Sequence, residues 1–219
     1  MLQRRYPPSP GAFTTHYSDV ELPPEAIADA PRTDFHGAHR LICVGTLAVL
    51  YKAQDVLIQS VARAARRDLD LTFVGDGRRM GEMQSLAGSL GIGDRVHFTG
   101  QLSGGQAVRD ALDASDVFVL PSRQEGLPRA MIEAMARALP CIGSTVGGFP
   151  ELLPPKDLVP PNDVEALARK IEDVLGDPER LVHSSRRNLD VSREYLPSIR
   201  EERRLEFYRF IRRAAVNDR

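Results

Sequence analysis

From residue 41 onward, short apolar runs alternate with stretches in which apolar positions recur every three to four residues. The runs at 41–44, 71–74, 95–98, 117–120, 141–143 and 157–159 are mostly continuous and rich in Val, Ile, Leu and Phe. Runs of this kind predict strands covered on both faces, as in a parallel sheet. The segments between them predict helices over 54–65, 80–90, 105–114, around Glu133, and over 164–175, with Ser103 as the N-cap of the third. Strands alternating with helices predict the α/β class, a Rossmann-like parallel sheet with helices on both faces. Ligands of such sheets bind beyond the carboxyl ends of the strands. Gly45, Gly75, Gly77, Gly100 and Glu125 all stand just past such ends.

The flanks differ from this middle. Residues 1–39 hold six prolines and little periodicity, which predicts a linker or wrapped extension with at most a short helical turn in VELPPEAIADA. Residues 40–177 form the expected domain, and 178–219 read as helical and basic. Ten arginines against six acids from Arg186 onward, with Leu205, Tyr208, Phe210 and Ile211 interleaved, predict a salt-bridged amphipathic helix docked on the domain. A peripheral contact with a membrane or partner is the second reading of that helix.

Composition narrows the classes. At 219 residues and 42% hydrophobic content, the chain can bury one sizeable core. A net charge of −1 and the lack of Trp argue against a nucleic-acid partner. Cys43 and Cys141 sit in apolar runs and read as buried free thiols of a reducing compartment. The head MLQRRYPPSPG has no apolar run of a secretory signal, so a cytoplasmic chain is expected. His16, His36, His39, His97 and His183 show no ligand spacing, and no metal is expected.

The candidate chemistry concentrates in 121–153, PSRQEGLPRAMIEAMARALPCIGSTVGGFPELL. A strand ends at Pro121-Ser122, Gly126 lets backbone approach a ligand, and Pro128 suits the first turn of a helix. Ala130, Met131, Ala134, Met135 and Ala138 share one helical face. Glu125 therefore stands at the mouth of a helix N-terminus, where anions are favoured, and Glu133 stands one to two turns inside. Carboxylates beside an anion site are suited to accept hydrogen bonds from hydroxyls attached to the anion, as in a sugar nucleotide.

EGLPRAMIEAMARALP followed by STVGGFPELL resembles the Glu-x7-Glu segment of retaining glycosyltransferases of the GT-B fold, glycosyltransferase family 4 (group 1). The resemblance runs in register over 40–177, through VGTLAVLYKAQDVLI, LTFVGDG, RVHFTGQLS and LVPPNDVEALARKI. It implies the C-terminal, donor-binding half of a two-domain enzyme that transfers sugar from a nucleotide-diphosphate sugar with retention. It implies that Glu133 holds ribose hydroxyls, Glu125 the donor sugar and Lys52 the diphosphate, with Glu125 and Lys52 as the catalytic pair. Donor contacts are also implied at Gly45, Thr46, Gly75, Gly77, Gly100, Leu102, Gly126 and Leu127. No cofactor or metal is implied, because Lys and helix dipoles neutralise the diphosphate. It implies an acceptor-binding N-terminal domain outside this chain, to which the helices of 178–219 would cross if they do not pack on the domain here, so the chain alone is expected to be inactive.

Thr46 departs from the family, where many members carry Arg, and leaves neutralisation to Lys52 and the helix N-terminus. Gly75-Asp76-Gly77 is no dinucleotide fingerprint, since Met80 stands where a third glycine is needed. Gly147-Gly148 reads equally as a plain turn or as a border of the donor sugar. The alternatives to transfer are a nucleotide-sugar 2-epimerase of the same fold and a non-catalytic nucleotide-sugar-binding module.

Overall fold

The computed structural model describes residues 9, 12–14, 20, 22–35 and 37–217, with side chains described as far as 213. Six parallel strands form one sheet: β1 Arg40–Val44, β2 Asp70–Val74, β3 Val96–Phe98, β4 Val117–Leu120, β5 Cys141–Ser144 and β6 Leu158–Val159. Their order is β3-β2-β1-β4-β5-β6, so the chain reverses its direction of travel across the sheet between β1 and β4. There Leu41 pairs with Val117 and Ile42 with Phe118. That crevice is the topological switch point at which open α/β sheets take ligands.

The helices are α1 Gln54–Arg63, α2 Met80–Ser89, α3 Gln106–Asp113, α4 Arg129–Ala136, α5 Phe149–Leu152, α6 Val164–Leu175, α7 Pro178–Arg193 and α8 Pro197–Asn217. α1 packs against α2 and α6, and α4 packs against α7. β4 explains the continuous apolar run in the sequence: all four of its residues are buried, because a central parallel strand has no solvent face. At the edge of the sheet, β3 exposes His97.

Three local expectations need correction. Ser103 is not the N-cap of α3: Gly104 and Gly105, at φ 73° and 53°, turn the chain first, and Gly105 takes the cap position with no side-chain bond. Pro128 is the N-cap of α4 rather than part of its first turn. Ala138 lies beyond the end of α4 at φ 57°, where the Leu139 N–H donates to the Ala134 carbonyl at 3.1 Å and closes the helix.

The described part of the head lies on the domain. Leu22, Ala26 and Phe35 are buried, and Pro24–Ala26 forms a single 3-10 turn. Arg32 holds this segment down by donating to the carbonyls of Leu112 at 3.1 Å, Ser115 at 2.5 Å and Arg137 at 3.2 Å. At the other end α7 buries Leu181, Asn188 and Leu189. Leu205, Phe207, Tyr208, Phe210 and Ile211 of α8 are exposed, and Phe13 stacks on Phe210 at 4.8 Å between ring centroids. The salt bridges Arg203–Glu194 and Arg204–Glu201 are present. His16 lies outside the described residues, as does His36. No helix among the described residues is long and apolar enough to cross a membrane.

Candidate active site

Lys52 ends the 3-10 turn Leu50–Lys52 that follows β1, and Glu125 stands in the loop that follows β4. Neighbouring strands thus deliver them to the same crevice. The Lys52 Nζ donates to Glu125 Oε1, and the Ser122 hydroxyl donates to the same oxygen at 2.9 Å. The pair is nearly closed from solvent, with side chains 13% and 8% exposed. Gly45 lies against the Lys52 stem, where an added Cβ would sit at 3.5 Å, an ordinary van der Waals contact. Cys43 lies close beneath, its thiol pushed up to about 12 by burial, with Lys52 opposing the shift and Glu125 adding to it.

The loops around the pair interlock through backbone. Gly75, at φ 135°, lies so close to the Gly45 carbonyl that any Cβ would overlap it, and its N–H donates to the Gly100 carbonyl at 2.9 Å. Gly77 lies equally close to the backbone of Ala48. On the other side of the crevice, Gly147 at φ 53° abuts the Glu125 carbonyl, and the Gly148 N–H donates to the Gly126 carbonyl at 2.7 Å. The Gly147-Gly148 loop is therefore more than a plain turn, because it supports the backbone of Glu125 to Leu127. Thr46 has its hydroxyl engaged with the Ala48 N–H, at 3.1 Å, and with the Asp76 carbonyl, at 3.3 Å.

Glu133 is not part of this cluster. It lines a cavity of about 300 Å³ between α3 and α4, walled by Gly104, Gly105, Val108, Arg109, Leu112 and the head residues Leu22, Pro23 and Ala26. Burial raises its carboxyl above the ordinary range, partly offset by Arg129, and among the described residues nothing hydrogen-bonds it. Leu102 and Leu127 are half-buried and pack on the core, while a Cβ at Gly100 or Gly126 would meet open space. No group of three or more potential metal ligands occurs among the described residues.

Two residues near the pair escape sequence reasoning. Ser122 reads as a strand terminator, yet its hydroxyl holds Glu125, and its own carbonyl accepts from Ser144 Oγ at 2.7 Å. Arg123 looks like a surface residue, yet it bonds Asp55, 68 positions away, through both terminal guanidinium nitrogens, Nη1 and Nη2. No local pattern marks such a pairing. The glycines at 75, 77 and 147–148 are the sequence signals of close backbone approach.

Residues 38–177 match the sequence profile of the family described as glycosyl transferases group 1. A mannosyltransferase of Corynebacterium glutamicum, named as GDP-mannose-dependent and acting on monoacylated alpha-(1-6)-phosphatidylinositol monomannoside, is 32% identical over 169 residues, covering 72% of this chain and 44% of that protein. The sucrose-phosphate synthase of Thermosynechococcus elongatus superposes with a TM-score of 0.74 at 24% identity, over 99% of this chain and 56% of the other. Anabaena HepE, solved with UDP and glucose, superposes with a TM-score of 0.71 at 19% identity, over 80% of this chain and 49% of the other. At these identities the two structures establish the fold alone, a Rossmann-like half of the GT-B architecture. The chain spans less than half the length of the curated relatives it matches. With its domain matched almost from end to end, the chain belongs to the group 1 glycosyl transferases.

Proposed function

We propose that this domain binds a nucleoside-diphosphate sugar and forms the donor side of a retaining glycosyltransferase. The Lys52–Glu125–Ser122 cluster at the β1–β4 switch point carries the reading. It pairs a compact cation suited to a diphosphate with a carboxylate suited to sugar hydroxyls, both largely buried. In the proposed reaction the bond from the anomeric carbon to the diphosphate oxygen breaks and Lys52 stabilises the charge that develops. The departing oxygen takes the proton of the acceptor hydroxyl, whose oxygen bonds the anomeric carbon on the same face. Glu125 orients the sugar and Glu133 accepts from the ribose. Neither a metal nor a cofactor is invoked, because Lys52 and the α4 N-terminus supply the positive potential.

The donor base is open, since one relative is named for GDP-mannose and HepE was solved with UDP. Backbone near 100–103 is the proposed selector. The acceptor-binding half is supplied by another domain, and α8, with exposed aromatics and arginines, is the proposed place for contact with it or with an acceptor-bearing membrane. The proposed setting is the cytoplasm, which suits two buried free thiols.

Calorimetry with UDP, GDP and ADP and their sugars tests this. A diphosphate should bind more tightly than its nucleoside, and Lys52→Ala should remove most of the difference. Lack of any such preference would refute the diphosphate site. Donor conversion without acceptor would favour the epimerase. Donor binding with no transfer once the acceptor half is supplied would favour a non-catalytic module.

A further inference from the structure

We propose that Arg123 is a positioning residue for Lys52, a role that rests on reading this crevice as a diphosphate site. One residue bonds two carbonyls of the turn that carries the lysine: the Arg123 N–H donates to the Tyr51 carbonyl at 2.7 Å, and its Nη1 donates to the Leu50 carbonyl at 2.6 Å. The same guanidinium grips the Asp55 carboxylate at the start of α1 with two bonds of 2.8 Å, and its Nε donates to Asn162 Oδ1 at 2.6 Å. Three strand-end loops, after β1, β4 and β6, are thereby joined at a single side chain. Arg123 is two residues from Glu125, so the lysine and the glutamate are set against each other by one short stretch of backbone.

The geometry matters because Lys52 reaches its place on a long, flexible stem. An ammonium on four methylenes loses substantial rotamer freedom when held in one position. The turn beneath it has no side-chain cap, and Ala53 follows at φ 57° in the left-handed region. Within the turn the Ala53 N–H donates to the Leu50 carbonyl at 3.1 Å, and the clamp from β4 ties the turn to the loop that carries Glu125. A fork with two parallel bonds to Asp55 sets direction as well as distance, which a lysine at 123 could not reproduce.

Two measurements on the chain test this. The protein has three lysines, Lys52, Lys156 and Lys170, so their acylation by a small amine reagent can be followed separately by mass spectrometry. Lys52 should react slowly in the wild-type chain. In Arg123→Ala it should react about tenfold faster relative to the exposed Lys156, the scale of losing hydrogen bonds to a charged group. Asn162→Gly is the milder variant, because glycine keeps the backbone at φ 63° while the Oδ1 contact is lost. It should accelerate Lys52 in the same sense but less.

In calorimetry, Arg123→Ala should weaken nucleoside diphosphate about tenfold while leaving the nucleoside unchanged. The loss should vanish in a Lys52→Ala background, and Arg123→Lys should recover only part of it. Unchanged Lys52 acylation overturns the proposal, as does equal acceleration of Lys52 and Lys156 in both variants. Equal losses for nucleoside and diphosphate overturn it too. If the wild-type chain binds no diphosphate, the functional reading falls by itself, and acylation alone decides the role of Arg123.

Discussion

Lys52 and Glu125, 73 residues apart in sequence, satisfy each other across the crevice where the sheet changes direction. Each would be claimed by a different part of a donor, one by diphosphate and the other by sugar hydroxyls. Donor binding is then an exchange of partners in which the ion pair is the competitor. A free diphosphate takes only the lysine and leaves the carboxylate behind. Glu125→Gln should therefore tighten free nucleoside diphosphate by about 0.5–1.5 kcal/mol while weakening the intact nucleotide sugar. Calorimetry with both ligands checks it, and weaker diphosphate binding in the variant would sink the exchange.

Removing the other partner has the opposite character. Lys52→Ala leaves the Glu125 carboxylate enclosed with Ser122 as its remaining bonded partner, and should destabilise the fold by about 3 kcal/mol, the low end for breaking a buried pair. The double variant Lys52→Ala/Glu125→Gln should regain most of that loss. Urea unfolding of the three chains gives the comparison. A double variant no more stable than Lys52→Ala would mean that the stranded charge is not the cause.

Glu133 carries a pH signature. Its carboxyl is raised from 4.5 by burial, so its protonated form suits the folded chain better than its charged form. That contribution to stability is fully present below the unfolded value and is lost as pH rises through the folded one. Glu133→Gln should thus be more stable than wild type at pH 7, with the difference shrinking as pH falls through the raised folded value and levelling off below 4.5. The same variant should bind nucleoside diphosphate about 1.5–3 kcal/mol less tightly if the ribose hydroxyls bond there. Urea titrations at several pH values read the first effect, and calorimetry reads the second.

Gly100 and Gly147 separate strain from collision. Both have positive φ, at 69° and 53°, but a Cβ at Gly100 meets nothing while one at Gly147 overlaps the Glu125 carbonyl. Gly100→Ala should cost about 1–2 kcal/mol from left-handed strain alone. Gly147→Ala should cost more and also weaken nucleotide-sugar binding by shifting Glu125. Equal stabilities for the two variants would contradict the contact.

Arg32 is the fastener of the head. Arg32→Ala strands the Ser115 and Arg137 carbonyls that its guanidinium now caps and should lower stability by about 2 kcal/mol. Limited proteolysis should then cut within 22–35 before it cuts the sheet. Simultaneous digestion of both would show the segment to be no separate unit.

The sheet was legible because a parallel strand buried on both faces leaves a continuous apolar run, and 117–120 is such a run. α6 was legible down to its ends, Val164 and Leu175, because its apolar stripe is regular and Asp163 caps it through the Ala166 N–H at 2.8 Å. Ser103 misled because a good capping residue lost to two glycines that turn the chain after it. α8 was legible as a helix, but alternating charge and aromatic residues do not say what covers it. At the site, glycines and lone charged residues could be noticed singly. The contacts of Ser122, Arg123 and Arg32 could not, since each depends on where distant loops come to rest.

The backbone-on-backbone contacts under the site divide it into two kinds of terrain. At Gly75, Gly77 and Gly147 the neighbouring main chain occupies the space of any side chain, so these positions offer selection nothing to vary. At Gly100 and Gly126 that space is empty. If the crevice takes a donor as proposed, a lineage or a laboratory library that seeks a new one would work at the rim, where an added side chain would meet that donor before it met the protein. The floor keeps the architecture, and new specificities are written along its open edge.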